Sequence, residues 1–206
     1  MIVSMNEIES TMLKAARGAG YAWGLAEEAS IAARWLATWD LPWLETAHIL
    51  FSPESLRWIG SDTPLRNPLL AGAWSNDLPI SCSARSLRGV TAPLWLAGLV
   101  GAGTHRRSIA RRINWSSAEV VVARGALVHT HGTLDAAATE TVSITLAGNV
   151  DPVSFGGSVA THRRSTGCHV DARLWQRLLE YEKRTYVPGS AQSRATGAGS
   201  EKSDND

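Results

Sequence analysis

Apolar residues recur with a helical period over the first quarter of this chain and with a period of two over its middle, and no single class of secondary structure satisfies both. At the start, Ser4 and Glu7 have the spacing of a capping box. Ile8, Met12, Ala15 and Ala16 then share one helical face, and Gly18 with Gly20 marks the helix end. A second helix is predicted over about 24–39, with Leu25, Ala29, Ala32, Ala33 and Leu36 as its inner stripe. Its small alanines suit close packing against another helix. Asp40 and Pro42 suit the start of a third, short helix carrying Trp43, Leu44, Ala47 and Leu50. Strand-like alternation follows at 118–123, 126–130 and 139–146, with Arg124-Gly125 as a two-residue hairpin turn.

Between the two regimes, 52–80 is broken by Pro53, Pro64, Pro68, Pro79, Gly60 and Gly72 and reads as a long connection with a helical turn near 54–59. Residues 94–100 are too short and too evenly apolar to separate a buried strand from a helix. Asp171 is placed to cap a helix over 171–184 with Leu174, Trp175, Leu178, Leu179 and Tyr181 on its apolar face, and Pro188 bars its continuation. Residues 189–206 are Gly, Ser, Ala, Thr and charge, the composition of a flexible tail.

These readings predict one α+β domain over 1–188. It comprises helices at 4–51, the connection at 52–80, mainly β structure at 81–150, a loop at 151–169 and the helix at 171–184. Helices gathered at one end rather than alternating with strands imply an N-terminal helical layer, a central and mostly antiparallel sheet, and a C-terminal helix packed across it. At 206 residues and 44% apolar content the chain has enough material for one good core.

Charge is distributed unevenly. Between Asp77 and Asp135 the only acid is Glu119, against Arg85, Arg88, Arg106, Arg107, Arg111, Arg112 and Arg124. Within that run Thr104-His105-Arg106-Arg107-Ser108 returns as Thr161-His162-Arg163-Arg164-Ser165. Guanidinium groups present a planar fork of donors that matches carboxylate or phosphate, and threonine hydroxyls can complete the donor set. Arg106, Arg107, Arg163, Arg164, Thr104 and Thr161 are therefore the candidate anion-binding residues. The net charge of +1 argues against a general nucleic-acid binder, which needs a basic excess to neutralise phosphates. Seven acids among the first 54 residues offset the basic centre, an asymmetry that fits self-association or pairing within the fold.

Other constellations carry less chemistry. His129 and His131 lie two apart on a predicted strand and so share a face, but no third ligand has diagnostic spacing, and no metal site is expected. Cys82 and Cys168 have no motif around them and read as inert or merely exposed thiols. Nine tryptophans, Trp35 and Trp39 a helical turn apart among them, read as core or intersubunit packing. The run Gly-Leu-Val-Gly-Ala-Gly lacks the spacing of a dinucleotide fingerprint, and no cofactor is indicated. The start has no basic region followed by an apolar stretch, and the most apolar window, about 12 residues, is well short of the roughly 20 that span a bilayer. The expected location is the cytoplasm.

The string SMNEIESTMLKAARGAGYAWGLAEEASIAARWL near the start, with RTYVPGSAQSRATGAG and a terminal DND, resembles a family of uncharacterised bacterial proteins of about this length, classed as a domain of unknown function. The resemblance implies no activity. The function expected from the residues is binding or transformation of an anionic metabolite through the arginine cluster. The alternative is a non-catalytic accessory or assembly protein that acts through protein contacts, including a homo-oligomer. Neither reading decides whether the chain is an enzyme.

Overall fold

A computed structural model of the protein describes residues 1–78, 84–106, 109–116, 118–148 and 167–186. Its helices are α1 (Met5–Ala19), α2 (Trp23–Thr38), α3 (Trp43–Leu50), α4 (Pro53–Leu56), α5 (Pro68–Asp77), α6 (Pro93–Gly103) and α7 (Ala172–Lys183). The strands are β1 (Ile2–Ser4), β2 (Ala84–Thr91), β3 (Ala110–Trp115), β4 (Ala118–Ala123), β5 (Ala126–His131), β6 (Ala138–Leu146) and β7 (Gly167–His169). Five of them form an antiparallel sheet in the order β2-β6-β3-β4-β5, and β1 pairs antiparallel with β7. The α+β class, the helical N-terminal layer and the antiparallel sheet stand as expected.

The caps explain where the helices begin. The Ser4 hydroxyl accepts from the Glu7 amide at 3.2 Å, and the Asp171 carboxylate accepts from the amides of Arg173 and Leu174 at 2.8 and 3.0 Å. Both caps were legible from spacing. Four expectations are corrected. The connection at 52–80 holds its expected helical turn as α4, but beyond it also a 3-10 turn at Pro64–Arg66 and the ten-residue α5, because Asn67 caps and Pro68 occupies the first helical turn, where a missing amide costs nothing. The mainly β stretch holds a full helix, α6. At the C-terminal end of the expected loop at 151–169, Gly167–His169 form β7; the rest of that loop to residue 166, and the tail from 187, lie outside the described residues.

The fourth correction concerns layering. The helix packed on the sheet is α6 rather than α7. Residues 93–101 of α6 are all buried, so this helix needs apolar neighbours on every side and finds the sheet on one and α2, α3 and α5 on others. By contrast α7 buries only Trp175, Leu178 and Glu182 and packs against α1 and α3. The approach of α2 to α6 is set by Gly101: a Cβ there would lie 2.4 Å from the Trp35 ring.

A buried polar hub ties the proline-rich connection to the body. The Asn67 side-chain oxygen caps α5, and its amide nitrogen donates to the Tyr21 hydroxyl and the Ser55 carbonyl, each at 3.1 Å. Tyr21 donates in turn to the Leu50 carbonyl at 2.9 Å, and Thr91 at the end of β2 donates to Ser55 or to the Arg66 carbonyl, each at 3.1 Å. With these polar groups paired to one another and to backbone, Ser55 and Asn67 can be buried within the connection.

Candidate functional site

The β4–β5 hairpin turns through Arg124 and Gly125, with φ of 53° and 79°. Two successive left-handed residues make the tight turn that matches strand twist, which is why glycine stands second. The tip is docked rather than free. The Gly125 amide donates to the Thr104 hydroxyl at 2.9 Å, that hydroxyl donates to the Gly101 carbonyl at 2.7 Å, and the Trp35 indole donates to the Gly125 carbonyl at 2.8 Å. A Cβ on Gly125 would meet the His105 Cβ at 2.9 Å. The first copy of the THRRS repeat therefore sits against the hairpin tip.

Beside this junction opens a cleft of about 680 Å³. Its helical wall is Met5, Ile31, Arg34, Trp35, Thr38 and Trp39; the facing wall is Ala102, His105, Arg124 and Ala126. The Trp35 and Trp39 rings lie 6.3 Å apart and tilted by 52°, forming an aromatic floor. Three basic side chains stand at the mouth. Arg34 is held at 2.5 Å from Glu9 and 3.0 Å from Asn6, whereas Arg124 and His105 are exposed and have no charged partner among the described residues. Ile31, an aliphatic side chain left 43% exposed, lies on the same wall.

The sequence candidates divide. Thr104 is buried and both its hydrogen bonds go to backbone, so its described role is to fasten the hairpin. Arg106 ends the 3-10 turn Thr104–Arg106, and its side chain lies outside the described structure, as do Arg107, Thr161, Arg163 and Arg164. The other arginines of the basic run do not form one surface. Arg111 is buried and donates to the Ser75 carbonyl at 3.0 Å, Arg112 pairs with Glu119 at 3.3 Å, and Arg85 lies 5.2 Å from the Trp74 ring centre.

His129 stands opposite Val121 and His131 opposite Glu119, and no set of three His, Cys, Asp or Glu side chains able to hold a metal exists among the described residues. Cys168 is buried, and its thiol donates to the His169 carbonyl at 3.4 Å. Burial pushes that thiol above its ordinary range, the opposite of an activated nucleophile. Sequence reasoning missed Arg34, Arg124 and the two tryptophans as partners in one cleft. Their signals, a hairpin turn and an i,i+4 aromatic pair, were present, but nothing local says that they meet.

Among the described residues no helix is long and apolar enough to cross a membrane. No curated protein and no solved structure matches the chain. Residues 3–54, which span β1 and α1 to α3 and so supply the helical wall of the cleft, match the family described as Protein of unknown function (DUF3726), in keeping with the resemblance at the N-terminal segment.

Proposed function

We propose that this protein binds an anionic metabolite, a carboxylate or phosphate compound, in the cleft between α2 and the β4–β5 turn. The observation that carries the reading is the arrival of His105, from the repeated THRRS segment, and Arg124, from the hairpin tip, at one mouth above a tryptophan floor. Arg106 and Arg107 follow His105 in sequence, and the second copy of the repeat carries Thr161, Arg163 and Arg164. The apolar wall holds the body of the ligand and the basic rim its charge. The cytoplasm, where such metabolites are made and used, is the compartment this reading implies. A second reading, self-association, rests on Trp23 and Ile31, which are 59% and 43% exposed on α2; light scattering tests it.

The cleft is tested with a panel of carboxylates and phosphates in a thermal-shift screen, since a ligand that binds only the folded state raises the melting temperature. A hit is expected to weaken about 10- to 100-fold in Arg124→Ala, the loss of one charged hydrogen bond of about 1.5–3 kcal/mol. A full panel without a shift, or a hit indifferent to Arg124→Ala and His105→Ala, overturns the proposal.

A further inference from the structure

A second cavity, of about 190 Å³, lies between α3 and α7 and shares no lining residue with the cleft. The two helices run parallel there. Trp43 at the start of α3 meets Trp175 near the start of α7 with ring centres 6.4 Å apart, and Phe51 at the end of α3 meets Tyr181 at 5.0 Å. Leu44, Ala47 and Phe51 recur at helical spacing on one side, and Leu174, Leu178 and Tyr181 do so on the other. The floor is thus apolar and partly aromatic.

Its rim is basic. His48, one turn on from Leu44, faces Arg177 and Arg184 across the opening. Arg184 lies over the Tyr181 ring, 4.5 Å from its centre. His48 and Arg177 are exposed and make no ion pair or hydrogen bond among the described residues. The one acid on the rim, Glu180, is already engaged by Lys183 at 2.7 Å.

We infer that the α3–α7 pocket binds a small monocarboxylate with an apolar body, a single ring or a short alkyl chain. The floor demands apolar surface, because a wholly polar ion would leave six apolar side chains uncovered and lose its own hydration. A carboxylate suits the rim because the guanidinium of Arg177 can donate two parallel hydrogen bonds to its oxygens. A phosphate dianion has no apolar part to fill the floor and would leave it uncovered. The small cavity limits the body to one ring or a short chain.

Isothermal titration of the full chain with benzoate and with hexanoate is the test, with inorganic phosphate as control. Saturable binding of benzoate or hexanoate is expected, with phosphate failing to compete. Arg177→Gln weakens it about tenfold or more. Arg177→Lys, which keeps the charge and loses the fork, falls between, and Arg124→Gln in the cleft leaves it unchanged. Thermal melts confirm that each variant is folded, as expected for exposed side chains. The same ligands are expected to shift amide resonances of Ala47, His48 and Tyr181. The inference is overturned by the absence of saturable binding, by equal competition from phosphate, by affinity indifferent to Arg177→Gln, or by shifts confined to residues around Arg124. Because Arg124→Gln separates the two sites, failure here leaves the cleft standing, and failure of the cleft leaves this pocket standing.

Discussion

Asn67 shows how much one side chain can do when both its ends are occupied. Its oxygen caps α5 while its nitrogen holds Tyr21 and Ser55, which lie 46 and 12 positions away. Asn67→Ala removes the cap and strands buried partners, so a loss of about 2–4 kcal/mol is expected in urea denaturation. Asn67→Asp is the sharper variant: it keeps the capping oxygen but turns a donor into an acceptor facing the Ser55 carbonyl. A variant as stable as the parent would refute the hub. Ser4 and Asp171 were readable as caps because their partners lie two or three residues away. Asn67 caps over the same short reach, to the amides of Leu69 and Leu70, but beside Pro68 it reads as a break in the chain, and the partners of its nitrogen are distant in sequence.

At the scale of elements, α7 is joined to α1 through Glu182. This carboxylate is buried and accepts from Lys14 at 3.0 Å and from the Tyr186 hydroxyl. Hydrogen bonding to Glu182 raises both the Lys14 ammonium and the Tyr186 phenol above their ordinary ranges. A raised folded-state value stabilises the protonated form. The contribution is therefore complete below the unfolded values of about 10 and is lost as pH rises through the folded ones. The melting temperature is expected to fall more steeply above about pH 10 in the parent than in Glu182→Gln, where the shared acceptor charge is gone. Parallel curves would show that the cluster contributes nothing. The apolar stripe of α7 was plain in the sequence because one face is polar. For α6 the same test fails: a helix buried on all sides has no polar face to reveal its period, and 94–100 suits a strand equally well.

Over the whole molecule, class was legible and arrangement was not. The switch of period announced helices and antiparallel strands, and the hairpin at Arg124-Gly125 followed from two residues. The sheet order places β6 between β2 and β3, and β2 joins β6 across the whole of α6, β3, β4 and β5. Such pairings depend on contacts between distant segments, which hydrophobic period does not record. The cleft suffers from the same blindness, for its two walls come from α2 and from a turn about 90 positions on, joined by the Trp35 to Gly125 hydrogen bond. Within the charged run, pairing inside the fold took up Arg111 and Arg112 and left Arg124, at the turn, exposed.

The pairing of β1 with β7 bears on the order of events in folding. Val3 stands opposite Cys168, and the terminal ammonium donates to the Val170 carbonyl at 2.9 Å, across 169 positions of sequence. Two three-residue strands make few bonds in return for closing so large a loop, and the entropy of that closure is not recovered until the intervening chain has condensed. The clasp should be absent from the rate-limiting barrier and form after it. Val3→Ala is then expected to speed unfolding by roughly tenfold while leaving the refolding rate nearly unchanged, as stopped-flow measurements on both limbs would reveal. Equal effects on the two limbs would place the clasp in the nucleus. If it forms late, the two joined strands act as a latch, and the lifetime of the native state, more than the speed of reaching it, depends on those six residues.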